Sequence, residues 1–199
     1  MSLADLRGSD FTYVMSDPPW SFKTFSEKGK EQKSAERHYS TMTLDDIKAM
    51  PVADVCAKDA MLQLWLTRPM FLQGLEVMEA WGFTYVTQGV WVKTTKDGKG
   101  LAFGTGYVLR DAHEPFIIGR RGKPKTHSKS VRSVIMSPRR EHSRKPEEAY
   151  RIAEALSGPD AKRLDMFSRQ VRPGWTAFGN ETEKFTPVEA ALGAMSMGS

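Results

Sequence analysis

Two consecutive prolines, Pro18 and Pro19, close the first apolar run of the chain, Phe11-Thr12-Tyr13-Val14-Met15-Ser16, and leave Asp17 at its end. The run is short, rich in β-branched and aromatic residues and preceded by Gly8-Ser9-Asp10, which predicts a buried strand. Proline has no amide hydrogen to give a ladder, so the strand has to stop where the prolines begin. Open α/β sheets hold their ligand crevices beyond the carboxyl ends of strands, and Asp17 would stand at one. Trp20 completes the tetrapeptide Asp17-Pro18-Pro19-Trp20, the candidate catalytic motif.

The rest of the chain alternates between strand and helix patterns. Residues 21–40 are polar and without a steady period, and are expected to form a mobile loop over the strand end. Thr43, with Asp46 three residues on, predicts a capped helix that Pro51 stops. A buried strand is expected over 60–66. A helix follows from Pro69, with Phe71, Leu75, Met78 and Trp81 on one face and Gly82 as its stop. Further strands are expected over 83–93 and 113–119, the latter placed at a sheet edge or at its own start by Pro115. Pro146 opens a helix over 147–156, and strands follow at 163–167 and 175–179. The order predicts one three-layer α/β domain over 1–185 with a mostly parallel sheet, and the Ala, Gly, Met and Ser of 186–199 predict a flexible tail. The Gly-rich loop 94–106 holds no G-x-G-x-x-G between strand and helix, so a dinucleotide site is not supported.

Composition removes other classes. No stretch approaches 18 apolar residues, which excludes a helical membrane span, and Met1–Arg7 has no apolar signal core, so the chain is expected in the cytoplasm. One cysteine, Cys56, rules out an internal disulfide, and four scattered histidines offer no metal-ligand spacing. A net charge of +5 favours a polyanionic partner. That charge is concentrated in Arg120, Arg121, Lys123, Lys125, Lys129, Arg132, Arg139, Arg140, Arg144 and Lys145, opposed only by Glu141. One sign of charge, Gly122 and Pro124, and the lack of helical spacing favour a phosphate-binding loop over a solvated face.

A carboxylate fixed beside a rigid Pro-Pro step suits chemistry on an exocyclic amine. The amino group of adenine is a poor nucleophile because its lone pair is delocalised into the ring. Two acceptors, the Asp17 carboxylate and the Pro18 carbonyl, would hold its two hydrogens and expose the lone pair, with Pro19 fixing the backbone and Trp20 offering a face for the base. The electrophile is then a bound methyl donor, and the predicted step is in-line attack on the methyl carbon of S-adenosylmethionine.

With these residues the chain resembles the Asp-Pro-Pro-Trp N6-adenine methyltransferases, the family founded by the catalytic subunit of the eukaryotic mRNA adenosine methyltransferase. The resemblance runs from Phe11 to Glu181. It includes His38-Tyr39-Ser40-Thr41-Met42, Leu64-Trp65-Leu66-Thr67, Gly89-Val90-Trp91-Val92-Lys93, His113-Glu114, Arg144-Lys145-Pro146-Glu147, Leu164-Asp165-Met166-Phe167-Ser168-Arg169 and Trp175-Thr176-Ala177-Phe178-Gly179-Asn180-Glu181. It implies a Rossmann-like class I methyltransferase fold with the catalytic motif ahead of the main cofactor elements. Asp17 would hold the amine and lie near the methionine end of the cofactor, and Lys145 would pair with the cofactor carboxylate. Phe167, Arg169, Asn180 and Glu181 would complete the cofactor site, Asp5 would reach its adenine, and Tyr39 would line the target-base pocket. Departures are Gln170-Val171-Arg172 in place of a His-Asn pair, and Glu181 where the eukaryotic enzymes carry Gln. A zinc-free, short form looks bacterial or phage-derived, so the expected activity is methylation of adenine N6 in DNA, flipped or single-stranded. Arg120, Arg121, Lys123, Arg139 and Arg140 would grip the backbone, with no metal and no membrane involved; a homodimer is compatible. The competing readings are the same chemistry on RNA and a catalytically inactive nucleic-acid-binding partner.

Overall fold

The structure, a computed structural model, describes residues 2–21, 41–106, 108–140 and 144–185. Its centre is a seven-stranded sheet. The strands are β1 (Phe11–Ser16), β2 (Cys56–Trp65), β3 (Thr84–Thr94), β4 (His113–Arg121), β5 (Val134–Pro138), β6 (Arg163–Met166) and β7 (Trp175–Phe178), in the spatial order β5-β3-β4-β2-β1-β6-β7. β4 runs antiparallel to both neighbours, and the other four pairings are parallel. The helices α1 (Leu44–Lys48), α2 (Phe71–Ala80) and α3 (Glu147–Ser157) cover its two faces, which gives the Rossmann-like three-layer arrangement.

Side-chain alternation along the strands decides which face each residue serves. Val14, Leu62, Leu64, Leu164 and Met166 pack with Ile47 of α1 and Val77 and Met78 of α2. Tyr13, Met15, Met61, Trp65, Phe116 and Ile135 point the other way, onto Ala149, Tyr150 and Ala153 of α3. Burial on both faces is what makes the strands read as continuous apolar runs rather than clean alternations. The cap at Thr43 forms as its spacing predicts: its Oγ1 accepts the Asp46 amide at 3.1 Å. Trp81 then ties α2 to α1 by donating its indole N–H to the Ile47 carbonyl at 2.8 Å.

Three features differ from the sequence expectation. β2 begins at Cys56 rather than 60, because exposed Lys58 and Asp59 interrupt the apolar run while the backbone stays in the ladder. β5 lies inside the segment expected as a loop: Ile135 and Ser137 are buried while Val134 and Met136 are exposed, a five-residue alternation that the surrounding cations obscure. Pro115 sits near the start of β4, and β4 is an interior strand flanked by β2 and β3, so the edge placement is excluded. Pro115 still contributes its carbonyl, which accepts from the Leu66 amide at 3.0 Å.

β1 is an interior strand, between β2 and β6. Its neighbours β2 and β6 are reached by crossovers on opposite faces, the first through α1 and the second through α3. Where crossovers diverge in this way, the sheet opens a crevice beyond the strand ends. The backbone amide of Asp17 reaches across to the Met166 carbonyl at 3.5 Å, so the motif stands at the mouth of that crevice. Among the described residues no helix is long and apolar enough to cross a membrane, and no group of three or more His, Cys, Asp or Glu could hold a metal ion.

Candidate active site

The Pro-Pro step turns the chain sharply. The Pro18 carbonyl accepts from the Trp20 amide at 2.8 Å and the Pro19 carbonyl from the Met42 amide at 3.0 Å. One lone pair of the Pro18 carbonyl is thereby used inside the turn. Trp20 does not offer a face to a ligand. It is 2% exposed, packed in the core on the α1–α2 side, and its indole N–H donates to the Trp65 carbonyl at 3.0 Å. The stacking role expected for it is therefore corrected: a large apolar ring next to a core strand is buried, and it anchors the turn to the end of β2 instead.

Asp17 is held by Lys145, whose ammonium lies 2.6 Å from its Oδ2. The same ammonium is 2.5 Å from Glu114 Oε1, and Lys93 binds the other oxygen of Glu114 at 2.8 Å. Two acids and two bases thus alternate in a line, with Lys145 7% exposed. The line exists because β4 is antiparallel: Glu114, near its start, meets residues at the ends of β1 and β3. Burial pushes the Asp17 carboxyl up, opposed by Lys145 and reinforced by the charge of Glu114. Burial would do the same to Glu114, but Lys145 and Lys93 together hold it down at about 2. Burial works against the Lys145 charge, yet Asp17 and Glu114 keep its pKa above the usual lysine value.

Beneath this line is a crevice bordered by Asp17, Trp65, Lys145, Asp165, Phe167 and Arg169 among others. Phe167 leaves the β6 end with φ of +62°, an uncommon backbone for a bulky residue, and the Gly179 backbone comes so close that a Cβ there would meet the Ser168 carbonyl oxygen at 2.7 Å. Such strain clusters at ligand sites. Arg169 pairs with Glu181 at 3.2 Å, which brings the turn after β7 to the crevice; Asn180 beside it is exposed. Arg144 stacks its guanidinium on Phe185, 5.2 Å from the ring centre, and both line the crevice.

Asp165, on the crevice floor, was not singled out by the sequence. Its Oδ2 accepts from Tyr150 Oη at 3.0 Å and Ser168 Oγ at 2.8 Å, while burial pushes its carboxyl up to about 6. An acid whose folded pKa lies above its unfolded value is stabilising below the unfolded value and loses that contribution as pH rises through the folded one. A rise from 3.8 to about 6 corresponds to roughly 3 kcal/mol. Asp165→Asn should therefore flatten the decline in stability between pH 4 and 7 by about that amount, measured by urea unfolding at a series of pH values. An unchanged slope would assign the decline to another group.

The remaining expected site residues separate. Arg139 and Arg140 follow β5 at the same sheet edge as Asp17, and Arg140 pairs with Glu147 at 2.6 Å and donates to the Lys145 carbonyl at 3.3 Å. Arg120 and Arg121 stand at the other edge, paired in register with Met61 and Ala60, and the Lys123 amide is bound by Asp59 there. Arg121 is used within the protein, donating to the Ala53 carbonyl at 2.7 Å. Asp5 is also placed away from the crevice: its short helical turn, Leu3–Leu6, packs at the amino end of β1, where neighbouring Arg7 pairs with Asp54 at 3.2 Å. Asp5 is not among the residues that border the crevice. Tyr39 lies outside the described residues.

Comparison with known proteins gives a consistent match. The MT-A70 family model covers residues 11–181. The chain is 32% identical over 180 residues, 89% of its length, to "N(6)-adenosine-methyltransferase MT-A70-like" of Arabidopsis thaliana, covering 24% of that protein. It is 30% identical over 177 residues, 87% of its length and 28% of the relative's, to the "N(6)-adenosine-methyltransferase catalytic subunit METTL3" of Homo sapiens. It is 28% identical over 195 residues, 89% of its length and 39% of the relative's, to the "N(6)-adenine-specific methyltransferase METTL4" of Mus musculus. The chain spans about a quarter of the length of the plant relatives it matches.

Proposed function

The chain belongs to the MT-A70 family, and from that membership and the site geometry we propose that it methylates the N6 amine of adenine in a nucleic acid, using S-adenosylmethionine. The observation that carries the proposal is the Asp17 carboxylate fixed by Lys145 at the rim of the crevice, three residues before a buried tryptophan anchor. Among the described residues only Oδ2 of Asp17 is engaged, which leaves Oδ1 to accept a hydrogen of the amine, and the Pro18 carbonyl is held beside it for the second. An amine held at both hydrogens presents its lone pair in one direction, so the chemistry is positioning and electrostatics rather than acid catalysis.

The residues present fit the cofactor. Trp65 Nε1 is a buried donor without a partner at the crevice wall, and the Lys145 ammonium uses two of its three hydrogens within the protein. Lys145 would hold the carboxylate of the cofactor, Asp17 its amino group, and Arg169 with Glu181 and Asn180 its ribose. Bound there, S-adenosylmethionine supplies an electrophilic methyl group. Phe167, Phe185 and the Arg144 side chain border the crevice and would limit water at the reacting centre.

We take DNA as the polymer, with RNA as its competitor; the 2′-hydroxyl is the atom through which a site tells the two apart. The test is transfer of labelled methyl from S-adenosylmethionine to matched DNA and RNA oligonucleotides, single-stranded and duplex, with digestion to nucleosides. Label at adenine N6 in DNA is the expected result. Label in RNA alone would change the polymer, and label in neither would overturn the enzymatic reading.

A further inference from the structure

The cations of 120–132 do not gather at the crevice; the fold strings them along one flank. β4 carries the chain from Phe116, level with Trp65 and the motif, to Arg121 at the opposite edge of the sheet. Five residues of strand make that distance about 17 Å. From there residues 122–133 return past Asp59 of β2 and the end of α3, and Val90 donates its amide to the Ser133 carbonyl as β5 begins. β5 then delivers Arg139 and Arg140 to the crevice edge. The sequence from 115 to 140 contains no acidic residue.

The returning segment is built into the fold. Gly122 has φ of +62°, and a Cβ there would meet Asp59 Oδ1 at 2.1 Å and the Lys58 carbonyl oxygen at 2.5 Å. Asp59 is turned onto the Lys123 amide at 2.6 Å, and the His127 amide donates to the Leu156 carbonyl at the end of α3 at 2.8 Å. The backbone is thereby pinned while Lys123, Lys125, Lys129 and Arg132 are exposed. Among the described residues none of these four side chains makes an ion pair, in contrast to Arg7, Lys48, Arg68, Lys93, Arg140, Lys145, Arg169 and Arg172. Repulsion within such a row falls when a polyanion lies on it.

We propose that this flank is a second binding site, a track for the phosphate backbone of the nucleic acid whose target adenine is at Asp17. The track rests on the function proposed above and adds a consequence to it. It leaves the crevice in one direction only, so nucleotides on one side of the target contribute affinity and those on the other side do not. At about 3.4 Å per nucleotide along a strand, 17 Å corresponds to roughly five nucleotides beyond the target.

The test uses three single-stranded DNA oligonucleotides: a 6-mer with the target adenine central, and two 18-mers with the same six bases at the 5′ or the 3′ end. Binding is measured over a range of salt concentrations, and methyl transfer on each is measured in parallel. One 18-mer should bind the wild type at least about tenfold more tightly than the other. In the triple variant Lys125→Gln, Lys129→Gln, Arg132→Gln that advantage should disappear, with the salt slope for the favoured 18-mer lower by about 2, as expected for three lost phosphate contacts on a single strand. Equal affinity of the two 18-mers for the wild type, or an advantage that survives in the variant, would overturn the track. Transfer to the 6-mer without any asymmetry overturns the track alone; asymmetry without transfer supports the track and overturns the catalytic reading.

Discussion

Asp17→Ala is expected to lower methyl transfer by roughly 10³-fold, the scale of removing one fixed hydrogen-bonding group aimed at a reacting centre. Affinity for an oligonucleotide should change by less than about threefold, because the phosphate contacts proposed above fall on Arg139 and on residues 123–132, away from the motif. The isosteric Asp17→Asn separates shape from charge. Its amide can still accept one hydrogen bond, but it cannot balance Lys145, which would be left with Glu114 as its one carboxylate partner in the line. We expect Asp17→Asn to be nearly as inactive as Asp17→Ala in single-turnover assays with labelled donor. If turnover in either variant stays within tenfold of wild type, another group holds the amine and the role given to Asp17 is wrong. Thermal unfolding of both variants guards against a trivial loss of fold.

The strands that carry the site were readable where they are buried on both faces. Phe11–Ser16 is an apolar, β-rich run and Leu164–Met166 a buried one broken only by Asp165, and the prolines after the first mark its end without ambiguity. Lys145 and Arg169 were singled out through the family resemblance, and their places before a helix start and after a strand end agree with it. Glu114 was not, although His113-Glu114 stood out as a motif, since its role depends on the direction of β4. A residue near the start of a strand reaches the carboxyl edge of its neighbours only if that strand is antiparallel, and pattern alone does not give strand direction. Asp165 was hidden for a different reason: its partners Tyr150 and Ser168 come from a helix and a turn, and a lone acid in an apolar strand carries no local sign of them. The spatial spread of the basic segment was hidden because charge is counted along the chain and not in space. Arg121 and Arg140 are 19 positions apart and sit on opposite edges of the sheet.

Lys145→Met should lower stability by about 3–5 kcal/mol at neutral pH, the cost typical of leaving a buried ion pair without one partner. For a chain of this size that is a fall in Tm on the order of 10 °C. Methionine keeps much of the side-chain volume, so the loss reflects Asp17 and Glu114 facing each other with only Lys93 to offset them. The sign of the pH dependence separates this from a simple packing defect. In the wild type the Glu114 carboxyl is held at about 2, so its contribution is present above the ordinary glutamate value and lost only as pH falls toward 2. In the variant Glu114 would be raised instead and Asp17 raised further, so its stability should increase more steeply as pH falls from 7 to 5, and the gap to wild type should narrow. Adding Glu114→Gln to Lys145→Met removes one of the two opposed charges and should recover more than half of the loss. Urea unfolding of the four proteins at both pH values completes the cycle. A loss below 1 kcal/mol that is independent of pH, accompanied by a large fall in S-adenosylmethionine affinity, would place Lys145 with the ligand alone. The expected pattern instead makes one ammonium serve both ends: it holds the catalytic carboxylate in place and keeps a third hydrogen for the cofactor.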